Sequence, residues 1–75
     1  MNNFYGVFQV EFLKDDKWVE SCMRWDSFYT DMNSVNSAIE RSLNSIKYTH
    51  GKDARLNYTI YKLEPFHVGT EYTWN

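Results

Sequence analysis

The stretch from Phe4 to Trp25 constrains this chain more than any other. Two alternating runs flank Lys14-Asp15-Asp16-Lys17. With Leu13 opposite Trp18, Phe12 faces Val19, Val10 faces Ser21, Phe8 faces Met23 and Gly6 faces Trp25. Side chains alternate along a strand, so the row from Gly6 to Phe12 and its partners share one face. A slip of one residue sets Glu20 or Cys22 against the Phe/Val row, so the pattern specifies its own pairing. The expectation is an antiparallel hairpin with one apolar face. That fixes the beginning of a fold but no activity.

After Trp25 the alternation stops, and Asp26-Ser27-Phe28-Tyr29-Thr30 reads as a connection that folds back onto the core. From Asp31 the period changes. Met32, Val35, Ala38, Ile39, Leu43 and Ile46 recur every three or four residues, the stripe of an amphipathic helix. Asp31 or Asn33 caps its start, Lys47 suits the dipole near its end, and Gly51 supplies a left-handed stop. The opposite face, from Asn33 to Ser45, is rich in Ser and Asn. These are weak helix formers, so packing must hold the helix. Alternation returns at Ala54, with Leu56, Tyr58 and Ile60 on one side and Arg55, Asn57, Thr59 and Tyr61 on the other. Glu64-Pro65 turns the chain. Phe66, Val68, Tyr72 and Trp74 then alternate with His67, Gly69, Glu71 and Thr73, and Gly69 signals a bulge or bend.

This order predicts an α+β fold for residues 1–75 as a single domain. It is a two-layer ββαββ sandwich, an antiparallel sheet covered on one face by a single helix. The expected core is Phe8, Val10, Phe12, Val19, Met23, Val35, Ile39, Leu43, Ile46, Leu56, Tyr58 and Ile60. So short a chain buries only about 60–65% of its unfolded surface. Its 19% aromatic content explains how it stays folded, because each ring buries roughly 150–250 Å².

Charge and cysteine usage narrow the function classes. A net charge of −2 lacks the basic footprint of a duplex-DNA binder. The lone Cys22 forms no intrachain disulfide and fits a reducing compartment. Met1-Asn2-Asn3 has neither the basic nor the apolar part of a signal peptide, and no run approaches the roughly 20 apolar residues of a membrane span. The expected location is cytoplasmic.

Catalysis is poorly supported. Cys22 with His50 or His67 would be the nucleophile and base, yet no motif flanks them, and Cys22 falls mid-strand opposite Gln9 rather than at a helix start. One Cys and two distant His lack the spacing of a metal set, and there is no Gly-rich phosphate loop. The expectation is a non-enzymatic protein with no cofactor and no metal.

Binding is the better reading. On the outer face of the hairpin Glu11 faces Glu20, with Asp15 and Asp16 at the tip. Like charges directly opposite destabilise a strand pair. Glu11, Asp15, Asp16 and Glu20, with Trp18 as an apolar anchor, therefore form the first candidate surface, suited to a protein with a basic patch. Arg55, Tyr61, Tyr72 and Trp74 form a second, with Asn57 and His67 beside them. If exposed, its rings are able to stack on bases.

Three segments carry a resemblance: Trp25-Asp26-Ser27-Phe28 closing the hairpin, the helix stripe around Ala38-Ile39, and Tyr58-Thr59-Ile60-Tyr61-Lys62-Leu63. Together they make the chain similar to the many small orphan proteins encoded by bacteriophages. That resemblance implies an inhibitor or adaptor acting on a host or defence protein, of the anti-CRISPR or anti-restriction type, in the cytoplasm of a bacterial host. Two alternatives stand beside it. One is a nucleotide or single-strand nucleic-acid binder, including a nucleotide sponge. The other is a structural homo-oligomer, at its simplest a homodimer, built by pairing edge strands.

Overall fold

A computed structural model describes residues 3–62 and 65–73. Strands β1 (Phe4–Lys14) and β2 (Lys17–Tyr29) form the hairpin. Helix α1 (Met32–His50) follows, and then β3 (Ala54–Tyr61) and β4 (Pro65–Tyr72). All neighbours are antiparallel in one four-stranded sheet of order β2-β1-β3-β4, and α1 packs on β3, β1 and β2 from one side. The ββαββ sandwich expected from the sequence is the fold.

The hairpin turns on Asp15 and Asp16, whose φ angles are 53° and 62°. Positive φ at both central residues is the turn that matches strand twist, and Asp tolerates it. The predicted register holds at this end, where Leu13 pairs with Trp18, Phe12 with Val19 and Glu11 with Glu20. It then shifts. Gln9 pairs with Arg24 and Phe8 with Trp25, in place of Cys22 and Met23. Ser21, Cys22 and Met23 thus occupy the span of Val10 alone, and Gly6 meets Ser27 instead of Trp25.

Side chains satisfy the backbone this bulge frees. Gln9 Nε2 donates to the Ser21 carbonyl at 2.9 Å, while Ser21 Oγ donates to the Val10 carbonyl at 2.8 Å and accepts from the Met23 amide at 3.0 Å. The shift is two residues, so alternation is preserved and Met23 and Trp25 still face the helix. Residues 26–29 are strand, not connection: Phe4 pairs with Tyr29 and Tyr5 with Phe28.

Asp31 caps α1 and accepts from the Ser34 amide at 2.8 Å. At the other end Gly51, at φ 73°, donates its amide to the Lys47 carbonyl at 2.9 Å. Both ends therefore satisfy backbone groups that the helix leaves open.

The core lies between α1 and the central strands. Phe8, Val10, Val35, Ile39, Ile46, Leu56, Tyr58 and Ile60 are buried there as expected, with Ala38, Ala54 and Thr73 added. Phe12, Met23 and Leu43 are only partly buried. Val19 departs from the expectation: it is 47% exposed, because it lies on the edge strand near the hairpin tip. Helix α1 ends at His50, whose ring meets Phe12 on the neighbouring central strand.

Gly69 marks neither a bulge nor a bend. It sits opposite Tyr58, and a Cβ there would lie 2.8 Å from Tyr58 Cζ. The missing side chain makes room for the Tyr58 ring, whose hydroxyl meets His67 Nε2 at 3.0 Å. The irregularity of this strand pair falls between Ile60 and Tyr61. Gly69→Val is expected to lower stability by about 1–3 kcal/mol through overpacking. Adding Tyr58→Leu should recover part of the loss. Urea melts of the four proteins check this, and additive losses would show that the ring and the glycine are not coupled.

Candidate functional site

One side of the sheet lies under α1. Odd-numbered residues of β1 and β3 point to the other side, where their cross-strand partners form rows. At one end Phe28, Tyr5 and Tyr61 lie side by side across β2, β1 and β3. The Tyr5 ring is 4.8 Å from Phe28 and 6.2 Å from Tyr61. Phe28 is 62% exposed. The Tyr5 hydroxyl donates to the Asp26 carboxylate. That hydrogen bond raises the phenol pKa above its ordinary value, and desolvation and the Asp26 charge push the same way.

At the opposite end the side chains converge. Arg55 Nε donates to Glu11 Oε1 at 2.6 Å, and Asn57 Nδ2 donates to the same oxygen at 2.5 Å. Asn57 Oδ1 in turn accepts from Thr70 at 2.6 Å. Above the ion pair, the Arg55 guanidinium sits 4.4 Å from the Trp18 ring centroid, and Arg55 Nη1 reaches the Tyr72 hydroxyl at 3.3 Å. The Trp18 and Tyr72 rings belong to the two edge strands yet stand 5.7 Å apart, so both lean inward over the central pair. Side-chain exposure falls to 21% for Arg55 and 12% for Glu11. Burial by itself lowers the Arg55 pKa, but hydrogen bonds to Glu11 and Tyr72 outweigh it and hold the pKa above its ordinary value.

Between the two ends lies a polar trough of about 400 Å³, floored by Val7, Gln9, Asn57 and Thr59 and rimmed by Arg24 and Thr70. Gln9 and Asn57 are already engaged through their amides. Among the described residues the Arg24 side chain makes no ion pair or hydrogen bond.

The two candidate surfaces read from the sequence are therefore one face. Glu11 and Trp18 from the first are joined to Arg55 and Tyr72 from the second. Asp15 and Asp16 stand exposed at the turn and Glu20 on the edge strand. Tyr61 belongs to the far row, and Trp74 lies outside the described residues. The Glu11–Glu20 pairing is present, but Glu11 is not the uncompensated charge expected: Arg55 and Asn57 hold it from the β3 side. Sequence reasoning missed Tyr5, Phe28 and Arg24. The signal for them was continued alternation through Tyr29.

The candidate catalytic residues do not converge. Cys22 is exposed in the bulge. His50 packs on Phe12, while His67 pairs with Ile60, which faces Gly6. Phe12 and Gly6 are roughly 20 Å apart along β1. Among the described residues no group of three His, Cys, Asp or Glu is placed to hold a metal, and no helix is long and apolar enough to cross a membrane. No known protein family, curated protein or solved structure matches the chain.

Proposed function

We propose that this chain is a small non-enzymatic binding module that receives a protein partner on the open face of its sheet. The observation that carries this reading is the row Phe28-Tyr5-Tyr61 on the face away from the helix, beside Arg24, whose side chain makes no ion pair or hydrogen bond among the described residues. Aromatic residues and Arg concentrate at the centre of protein interfaces, with charge at the rim. Asp15, Asp16 and Glu20 lie toward the other end of the molecule, on the hairpin, where their charge suits a basic patch on a partner that spans the face. The action would be steric and electrostatic blockade, with no bond made or broken. The resemblance to phage orphan proteins supports an inhibitor or adaptor acting on a host or defence protein of a bacterium.

The test is affinity capture from host lysate with the parent chain and with Phe28→Ser combined with Tyr61→Ser. Loss of two hot-spot rings should weaken a bound protein by about 30-fold or more. Tyr48→Ser is the control, since Tyr48 is 93% exposed on the helix. Equal capture by all three proteins would place the interface elsewhere.

The same rings favour a second reading, stacking on single-stranded nucleic acid. The net charge of −2 weighs against it. That reading requires binding to an oligonucleotide that weakens steeply with salt.

A further inference from the structure

The helix side of the sheet carries a second feature. Helix α1 does not overhang β2 completely, and a groove of about 450 Å³ remains between them. Its floor is apolar: Val10, Met23, Trp25 and Ile46. The helix wall is built from small side chains, Ala38, Ser42 and Ser45, and Arg41 stands at its rim. Among the described residues the Arg41 guanidinium makes no ion pair or hydrogen bond.

The groove runs beside an unfilled strand edge, since β2 is the outermost strand. The Tyr29 carbonyl accepts from the Asn3 amide at 3.0 Å, so Tyr29 directs its backbone groups toward the β1 side. Backbone direction alternates along a strand. Ser27 and Trp25 therefore point inward with Tyr29, and Phe28, Asp26 and Arg24 present their N–H and C=O groups to the open edge. The bulge at residues 21–23 interrupts the edge before Arg24. What is left is a short run, Arg24 to Phe28, with three residues offering paired donors and acceptors.

From this geometry we infer that the β2 edge takes an extended segment of a protein partner as a fifth strand. Backbone donors and acceptors in strand register demand an extended chain. Trp25 lies at a position not hydrogen-bonded on that edge, where facing side chains come closest. The docked residue opposite Trp25 is therefore apolar and enters the mouth of the groove. Arg41 beside it selects a carboxylate at a neighbouring inward position. Main-chain bonds supply affinity in this mode and the side-chain pocket supplies specificity. This surface is separate from the open face, and each can be removed without the other.

The probe is an end-capped peptide of about six residues, enough to span the free edge from Arg24 to Phe28. Ile and Val alternate with Thr, and one inward position is Glu. Added to isotope-labelled protein, it should slow amide exchange at Arg24, Asp26 and Phe28 and shift the Trp25 indole signal. Ser42→Trp fills the groove from the helix surface and should weaken the peptide by about tenfold or more, with the melting temperature unchanged or raised. Arg41→Glu should disfavour the Glu peptide and favour its Lys counterpart. That reversal keeps the test decisive even if Ser42→Trp perturbs the helix. No response at about 1 mM peptide overturns the proposal. So does an equal response in both variants, or one confined to Tyr61 and Val68 on the open face. Edge protection that grows with protein concentration and needs no peptide would assign the edge to a second copy of the chain, and overturns it too.

Discussion

Phe8→Ala should remove about 3–5 kcal/mol of stability, a large share of the 5–15 kcal/mol typical of a whole domain. Phe8 is 0% exposed and lies where the two layers meet. Its ring stacks on Trp25 at 5.3 Å, and the rings of Tyr29 and Tyr58 approach from other sides at 6.3 and 6.5 Å. Truncation leaves a cavity walled by aromatic rings, which are too stiff to collapse into it. Val19→Ala is the contrast. Val19 sits on the same face of the hairpin but is 47% exposed, and its loss should fall within about 1 kcal/mol. Urea midpoints decide the pair. A Phe8→Ala midpoint near the parent's would mean that the core does not centre on this ring.

Glu11→Lys is expected to cost about 2–4 kcal/mol. It puts a cation against the Arg55 guanidinium and strips Asn57 of its acceptor, beneath the Trp18 and Tyr72 rings. Glu20→Lys, one strand away and exposed, should change stability by no more than about 0.5 kcal/mol. Pairing Glu11→Lys with Arg55→Glu restores opposite charges and should recover part of the loss. Thermal melts of the four variants in a double-mutant cycle give the coupling directly. Zero coupling would mean that the ion pair contributes nothing, in keeping with a solvated surface pair.

Much of the architecture was legible because periodicity carries it. The helix stripe from Met32 to Ile46 and the alternation from Ala54 to Tyr61 each define one apolar face, and that face is what the fold buries. The bulge was not legible. Its stability comes from the Gln9 amide and the Ser21 hydroxyl reaching backbone carbonyls, and neither residue type announces such a role. A two-residue shift leaves every side chain on its own face, so Phe8, Val10 and Met23 stay on the helix side in either register.

The functional face was harder to read. Glu11 looked unbalanced because only its hairpin neighbour was visible in the local sequence. Its actual partner, Arg55, is 44 residues away and reaches it by the pairing of β1 with β3. Tyr5 and Phe28 are hard to read for a local reason. Alternation continues through Tyr29, but Asp26 and Ser27 interrupt the apolar residues on both faces, so the stretch reads as a connection.

The strand order also sets a schedule for folding. β1 lies inside the sheet, yet one of its neighbours is β2, immediately after it, and the other is β3, beginning at Ala54. The hairpin closes locally, on the order of 1–10 μs. During synthesis at roughly 5–20 residues per second, β3 follows the completed hairpin by about 2–6 s. For that interval the inner edge of β1 is unpaired, and Phe8 and Val10 lie bare on a formed two-stranded ribbon. Such a ribbon is a ready template for a neighbouring nascent chain. The yield of native protein should therefore depend on how quickly Ala54–Tyr61 joins the exposed ribbon, and raising the chain concentration during refolding should favour aggregation over folding.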